Sequence, residues 1–148
     1  MPKPCIYHIE DNDADRTMLA FALDAQPDTL DMYCARDGEE AIRILGEVAR
    51  GTRSRPDVIV LDLNLPKVPG VEVLSAIRRD PDLCDALVVV LTSSDAPEER
   101  SQTEALGISE YLRKPMDVDG FLAIGEQLLR MARCVQVSRE AVAGQRGA

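Results

Sequence analysis

Short apolar runs alternate five times with helix-like segments along this chain, and that alternation restricts the fold more than any other feature. Runs rich in Val, Ile and Leu at 5–9, 58–61 and 86–91 read as strands buried on both faces. Leu30–Ala35, interrupted by Asp31, reads as an edge strand, and Tyr111-Leu112 is a fifth strand assigned mainly from its context. Between them lie helices with recognisable ends. Asp13 is placed to cap a helix that buries Met18, Leu19, Ala22 and Leu23. Asp37 and Glu40 have capping-box spacing before Ala41, Ile42, Leu45 and Val48, and Asp95 and Glu98 repeat it before a helix ending at Gly107. Gly70 opens a helix that stops before Asp80-Pro81, and Asp117 caps a last helix running to about Arg133. Parallel neighbours need right-handed crossovers, so five strand–helix units predict an α/β fold: a doubly wound five-stranded parallel sheet with helices on both faces, in three layers.

The domain so defined spans residues 3–133, with no internal repeat or linker, followed by a tail at 134–148 rich in Gly, Ala, Gln and Arg. Gly46–Pro56 reads as a long exposed loop. A chain of 148 residues has room for a sizeable core. A net charge of −9 argues against nucleic acid or an anionic membrane as the main partner. Cys5, Cys34, Cys84 and Cys134 are scattered, with no CxxC and with His8 as the sole imidazole, which predicts free thiols and no zinc site. The longest apolar run is too short to span a bilayer, and the start Met1-Pro2-Lys3-Pro4 lacks the apolar stretch of a signal peptide, so a soluble, cytoplasmic protein is expected.

Four of the five strands end at or just before a residue able to do chemistry. Ile6–Ile9 runs into Glu10-Asp11, Val58–Leu61 into Asp62, and Leu87–Leu91 into Thr92, while Tyr111-Leu112 just precedes Lys114-Pro115. Ligands of open parallel sheets bind beyond the carboxyl ends of the strands, so one pocket can hold three acids, a hydroxyl and an ammonium. Taken singly, Glu10-Asp11 serves equally as an acidic helix start, and Thr92 and Lys114 as surface residues. Taken together they suit a magnesium ion and a phosphoryl group. Magnesium takes hard oxygen ligands, from one or two carboxylates plus substrate oxygens, and the Asn64 carbonyl is a further candidate ligand. Asp62 is placed as a nucleophile able to form an acyl phosphate, with Lys114 and Thr92 stabilising the spread negative charge.

These residues give the chain its resemblance to the receiver domains of two-component response regulators, the CheY-like family of flavodoxin-like (βα)5 fold. The matching segments, in family order, are Glu10-Asp11-Asn12, Asp62-Leu63-Asn64-Leu65-Pro66 with Gly70, Leu91-Thr92-Ser93-Ser94, and Tyr111-Leu112-Arg113-Lys114-Pro115. The resemblance implies that Asp62 accepts phosphate from a phosphohistidine on a sensor kinase. It implies that Glu10, Asp11, Asp62 and the Asn64 carbonyl hold magnesium, and that Lys114 and Thr92 contact the phosphoryl oxygens. It also implies a switch in which Thr92 moves toward the phosphate and Tyr111 turns inward, and a cis Lys114-Pro115 bond. Pro69 stands where the family more often has an acid. The Gly46–Pro56 loop and the Asn-Leu-Pro after Asp62 resemble the stand-alone regulators that serve bacterial phytochromes.

No effector domain fits after residue 133, which makes a transcription factor a poor reading. Apolar residues spread widely round the last helix (Phe121, Leu122, Ile124, Leu128, Leu129 and Met131), which suggests a homodimer through it and the nearby strand. Competing readings are a magnesium-dependent phosphatase similar to haloacid-dehalogenase enzymes and a phosphate-independent adaptor. The first lacks its general acid, because Asn64 stands two residues after Asp62. A flavodoxin-type FMN site is not expected, because no hydroxyl- or glycine-rich loop follows the first strand.

Overall fold

The computed structural model describes residues 2–146. Five strands and five helices alternate: β1 (Cys5–Ile9), α1 (Asp13–Asp24), β2 (Asp31–Ala35), α2 (Gly38–Ala49), β3 (Val58–Leu61), α3 (Gly70–Arg79), β4 (Leu87–Thr92), α4 (Pro97–Ala105), β5 (Glu110–Arg113) and α5 (Val118–Arg146). All strand pairs are parallel, in the order β2-β1-β3-β4-β5. The chain therefore reverses direction across the sheet between β1 and β3, the place where such folds open a crevice at the carboxyl ends of the strands.

Burial explains why the central strands read so clearly. Every residue of β1 and β3, and all of β4 after Leu87, is buried, whereas β2 and β5 are edges with partly exposed side chains. Strand alternation divides the core in two. Tyr7, Ile9, Ile59 and Leu61 pack with Ala41, Ile44, Leu45, Val73, Leu74 and Ile77 of α2 and α3. Ile6, Val58, Val60, Val89 and Leu91 pack with Leu19 and Leu23 of α1 and with Ile124, Leu128 and Ala132 of α5. Each large aliphatic side chain so buried is worth about 1.5–3 kcal/mol. Gly125 lets α5 close on α1, since a Cβ there would lie 2.9 Å from the Ala22 carbonyl oxygen.

Several local expectations are corrected. Asn12, not Asp13, caps α1, its side chain accepting the Asp15 N–H at 3.0 Å. Asp37 caps α2 as expected, accepting from Glu40 N–H, but the buried stripe uses Ile44 in place of Ile42, which is 41% exposed. The sequence Ala41, Ile44, Leu45, Val48 keeps the i, i+3, i+4, i+7 spacing, which Ile42 breaks. Helix α4 starts at Pro97 after Ala96, with no side-chain cap from Asp95, because proline supplies the preset φ of a first helical residue. Gly46 lies inside α2, so the exposed loop is shorter than expected. The Lys114-Pro115 bond is trans, like every peptide bond among the described residues; the two isomers of such a bond differ by only about 0.5–1 kcal/mol, so sequence context does not fix the choice.

The largest correction concerns α5, which continues past Arg133 to Arg146, 29 residues in all. Its extension is fastened beneath the sheet, at the end opposite the candidate site. Arg139 pairs with Asp57, donates to the Pro56 carbonyl at 2.9 Å, and bonds Asp85 at 2.9 Å. Asp57 is buried and also accepts Cys5 N–H at 2.8 Å, while Gln136 reaches the Pro2 carbonyl at 3.0 Å. The tail assigned to 134–148 is thus helical through Arg146, and its last two residues lie outside the described region. Most of the apolar breadth of α5 is also accounted for: Phe121, Ile124, Leu128 and Leu129 are buried in the core.

Candidate phosphoryl-acceptor site

Continuing the alternation of β1, β3 and β5 puts Glu10, Asp62 and Lys114 on the sheet face covered by α1 and α5. The structure brings them together. Lys114 Nζ donates to Asp62 Oδ2 at 3.0 Å and lies 2.8 Å from both Glu10 Oε1 and Asp15 Oδ2. Glu10 and Asp62 are buried and Asp11 is exposed at the rim, yet one carboxylate oxygen from each of the three lies within 4.8 Å of the others. Asp62 Oδ1 accepts the Asn64 N–H at 3.2 Å, which turns the chain out of β3. Gly70 holds that loop close, because a Cβ there would sit 2.5 Å from the Asp62 carbonyl oxygen and 2.6 Å from Leu63 Cα.

The electrostatics separate the roles of the two buried acids. Burial pushes the Glu10 carboxyl up to about 8, against the pull of Lys114. Burial would also raise Asp62, but hydrogen bonds from Glu10, Lys114 and Asn64 N–H outweigh it and hold Asp62 below the ordinary carboxylate range. Asp62 is therefore the stronger acid of the pair and Glu10 the weaker. Burial would lower the Lys114 ammonium, yet Asp15, Glu10 and Asp62 together raise it and keep it charged. His8 lies beneath on the same face, and burial, aided by Lys114 and Arg16, pushes its imidazole down to about 3, so it adds no charge.

The donor set fits a hard divalent cation. Glu10 Oε1 is buried without an aligned hydrogen-bond donor, although Lys114 Nζ is close, and such an oxygen is stabilised by a ligand that needs no hydrogen. All three ligand groups are carboxylates, the chemistry magnesium or manganese prefers.

Thr92 and Tyr111 meet at Ser94. Thr92 is buried at the end of β4, its Oγ accepting Ser94 N–H at 3.2 Å, and no hydrogen bond joins it to Asp62. The Tyr111 hydroxyl donates to the Ser94 carbonyl at 3.2 Å, and Arg100 lies over its ring at 5.3 Å. A single loop residue thus links both side chains assigned to the switch. Two contributors went unnoticed in the sequence. Asp15 touches Lys114, and Arg16 donates to the Glu10 carbonyl at 2.7 Å. Their signal was position in the first turns of the helix that leaves β1, where side chains point back toward the strand end.

Comparison with known proteins decides the family. Residues 6–124 match the response regulator receiver domain. The chain belongs to that family. The response regulator Rcp1 of Synechocystis is 36% identical over 114 residues, covering 76% of this chain and 78% of Rcp1. The phosphorylated cyanobacterial phytochrome response regulator RcpA superposes with a TM-score of 0.79 at 34% identity, over 86% of this chain and 91% of that one. The Mn(2+)-bound form of Rcp1 gives 0.77 at 32% identity, over 86% and 91%. The bacteriophytochrome response regulator RtBRR gives 0.70 at 32% identity, over 86% and 78%. The receiver fold agrees with these relatives, one of which, Rcp1, is known in a Mn(2+)-bound form, and Glu10, Asp11 and Asp62 form an acidic cluster able to hold a divalent cation. No helix among the described residues is long and apolar enough to cross a membrane.

Proposed function

We propose that this receiver domain is a phosphoacceptor module in which Asp62 takes a phosphoryl group from a sensor histidine kinase. One observation carries the reading: the ionised, buried Asp62 carboxylate lies 3.0 Å from the Lys114 ammonium and beside two further acids able to share a cation. An Asp62 oxygen forms the new O–P bond as the N–P bond of the kinase phosphohistidine breaks, returning the electron pair to the imidazole. Lys114 offers an N–H to a phosphoryl oxygen, and the Thr92 hydroxyl, moving off the Ser94 N–H that it accepts, donates its own O–H to another. Glu10, Asp11 and Asp62, with the Asn64 carbonyl, are the groups that would hold magnesium, which supplies charge neutralisation between acids and phosphate. The protein is a carrier of phosphate rather than a turnover enzyme, and it works in the cytoplasm, where such kinases present their phosphohistidine.

Release of Ser94 by Thr92 frees the loop that Tyr111 also holds, so one loading event changes the α4–β5–α5 face. The similarity to RcpA and RtBRR supports a phytochrome as the kinase. Exposed Val137 and Val142 on the α5 extension support a homodimer through this helix. Incubation with acetyl phosphate and magnesium, followed by intact-mass measurement, tests the reading. A phosphoryl mass gain in the wild type, absent in Asp62→Asn, is expected; an unmodified wild type would reject it.

A further inference from the structure

Lys114 faces one acid more than phosphoryl transfer requires. Glu10 and Asp62 belong to the cation and the phosphate, but Asp15 is neither a member of the carboxylate trio nor buried with it. Its Oδ2 nevertheless approaches Lys114 Nζ to 2.8 Å, closer than the 3.0 Å of Asp62. Its backbone is fixed by the α1 cap, where Asn12 accepts the Asp15 N–H, and its side chain is 25% exposed at the rim. The neighbouring cation does not duplicate this contact. Arg16 is engaged with the Glu10 carbonyl and with Asp13, so Arg16 and Lys114 meet different acids of the first turn of α1.

Loading would weaken the other two contacts. A cation taken up by Glu10, Asp11 and Asp62 competes with the ammonium for two of its acids, and a phosphoryl group on Asp62 consumes one of that residue's oxygens. A lysine on a flexible four-carbon stem would then be free to turn toward solvent. We propose that Asp15 is a positioning residue that keeps Lys114 Nζ aimed at the incoming phosphoryl group while Glu10 and Asp62 are drawn to the cation. The inference rests on Asp62 being the phosphoacceptor.

Phosphorylation rates with acetyl phosphate at saturating magnesium, followed by intact mass, test it in wild type, Asp15→Asn, Asp15→Glu, Lys114→Ala and the double variant Asp15→Asn/Lys114→Ala. Asp15→Asn should slow loading about tenfold, the rate equivalent of about 1.4 kcal/mol. Asp15→Glu should restore most of the loss, and Asp15→Asn should change the rate less than about twofold once Lys114 is alanine, the mark of two residues acting as a unit. Equal slowing in both backgrounds, no slowing at all, or a loss that disappears at higher magnesium would overturn the inference. Failure of the wild type itself to gain mass would remove the phosphoacceptor reading and this inference with it. A wild type that loads and an Asp15→Asn that matches it would remove this inference alone.

Discussion

Replacing Arg139 by alanine should destabilise the domain without touching the site, because it strips a buried carboxylate of its cation. The Asp57 side chain is only 4% exposed and that of Arg139 26%. Removing one member of a fully buried pair costs about 3–5 kcal/mol. Here Asp57 keeps the Cys5 N–H and the Gln136 amide, and water can enter where Arg139 was, so we expect a loss of about 2–3 kcal/mol at neutral pH. For a domain of this size that lowers Tm by roughly 5–10 °C. The pH dependence has a definite sign. Burial raises the Asp57 carboxyl, opposed by the Cys5 N–H and by Arg139. A raised folded value means that the contribution of Asp57 to stability is complete below the unfolded carboxylate range and declines as pH rises through the folded value. Loss of Arg139 raises that value further, so the deficit should shrink on acidification from pH 7 to 5. Adding Asp57→Asn to the variant should recover at least half of the loss, since an amide tolerates the missing cation. Urea denaturation of the three proteins at both pH values measures this. An Arg139→Ala domain within about 0.5 kcal/mol of wild type, or a deficit unchanged by pH, would refute the reasoning.

Two further predictions concern the cation and the oligomer. Protons should compete with magnesium for Glu10, whose carboxyl burial pushes up to about 8, so affinity measured by calorimetry should rise close to tenfold between pH 6 and 7 and level off above 8, with a proton released to buffer; a flat profile contradicts it. If the extension of α5 pairs two copies, Val137→Asp/Val142→Asp should shift sedimentation at tens of micromolar from dimer to monomer, and a wild-type monomer at that concentration excludes the pairing.

The sheet was legible because its three inner strands are buried on both faces, which makes them continuous apolar runs, and because each ends on a polar residue at the same edge. The proximity of the three acids and Lys114 follows from that order alone, as do Asp37 and Asp117 as caps. The remainder depended on contacts between distant residues. Nothing local marks α5 as continuing past Arg133, since its stability comes from Arg139 and Gln136 meeting Asp57 and Pro2 across the fold. Asp15 lies in the first turn of α1, where an acid suits the helix dipole, and only the arrival of Lys114 from the far edge of the sheet gives it a second role. Ser94 lies two residues after Thr92, but its part in joining Thr92 to Tyr111 needs the loop conformation.

Chemical trapping of the modified residue tests the central claim most directly. An acyl phosphate is an activated carboxyl that borohydride reduces to an alcohol, so phosphorylated protein treated this way should yield homoserine at the acceptor position. We predict homoserine at position 62 alone in the peptide map, dependent on magnesium and on the phosphodonor. Reduction at Asp11, Asp15 or another acid with Asp62 intact would contradict the account.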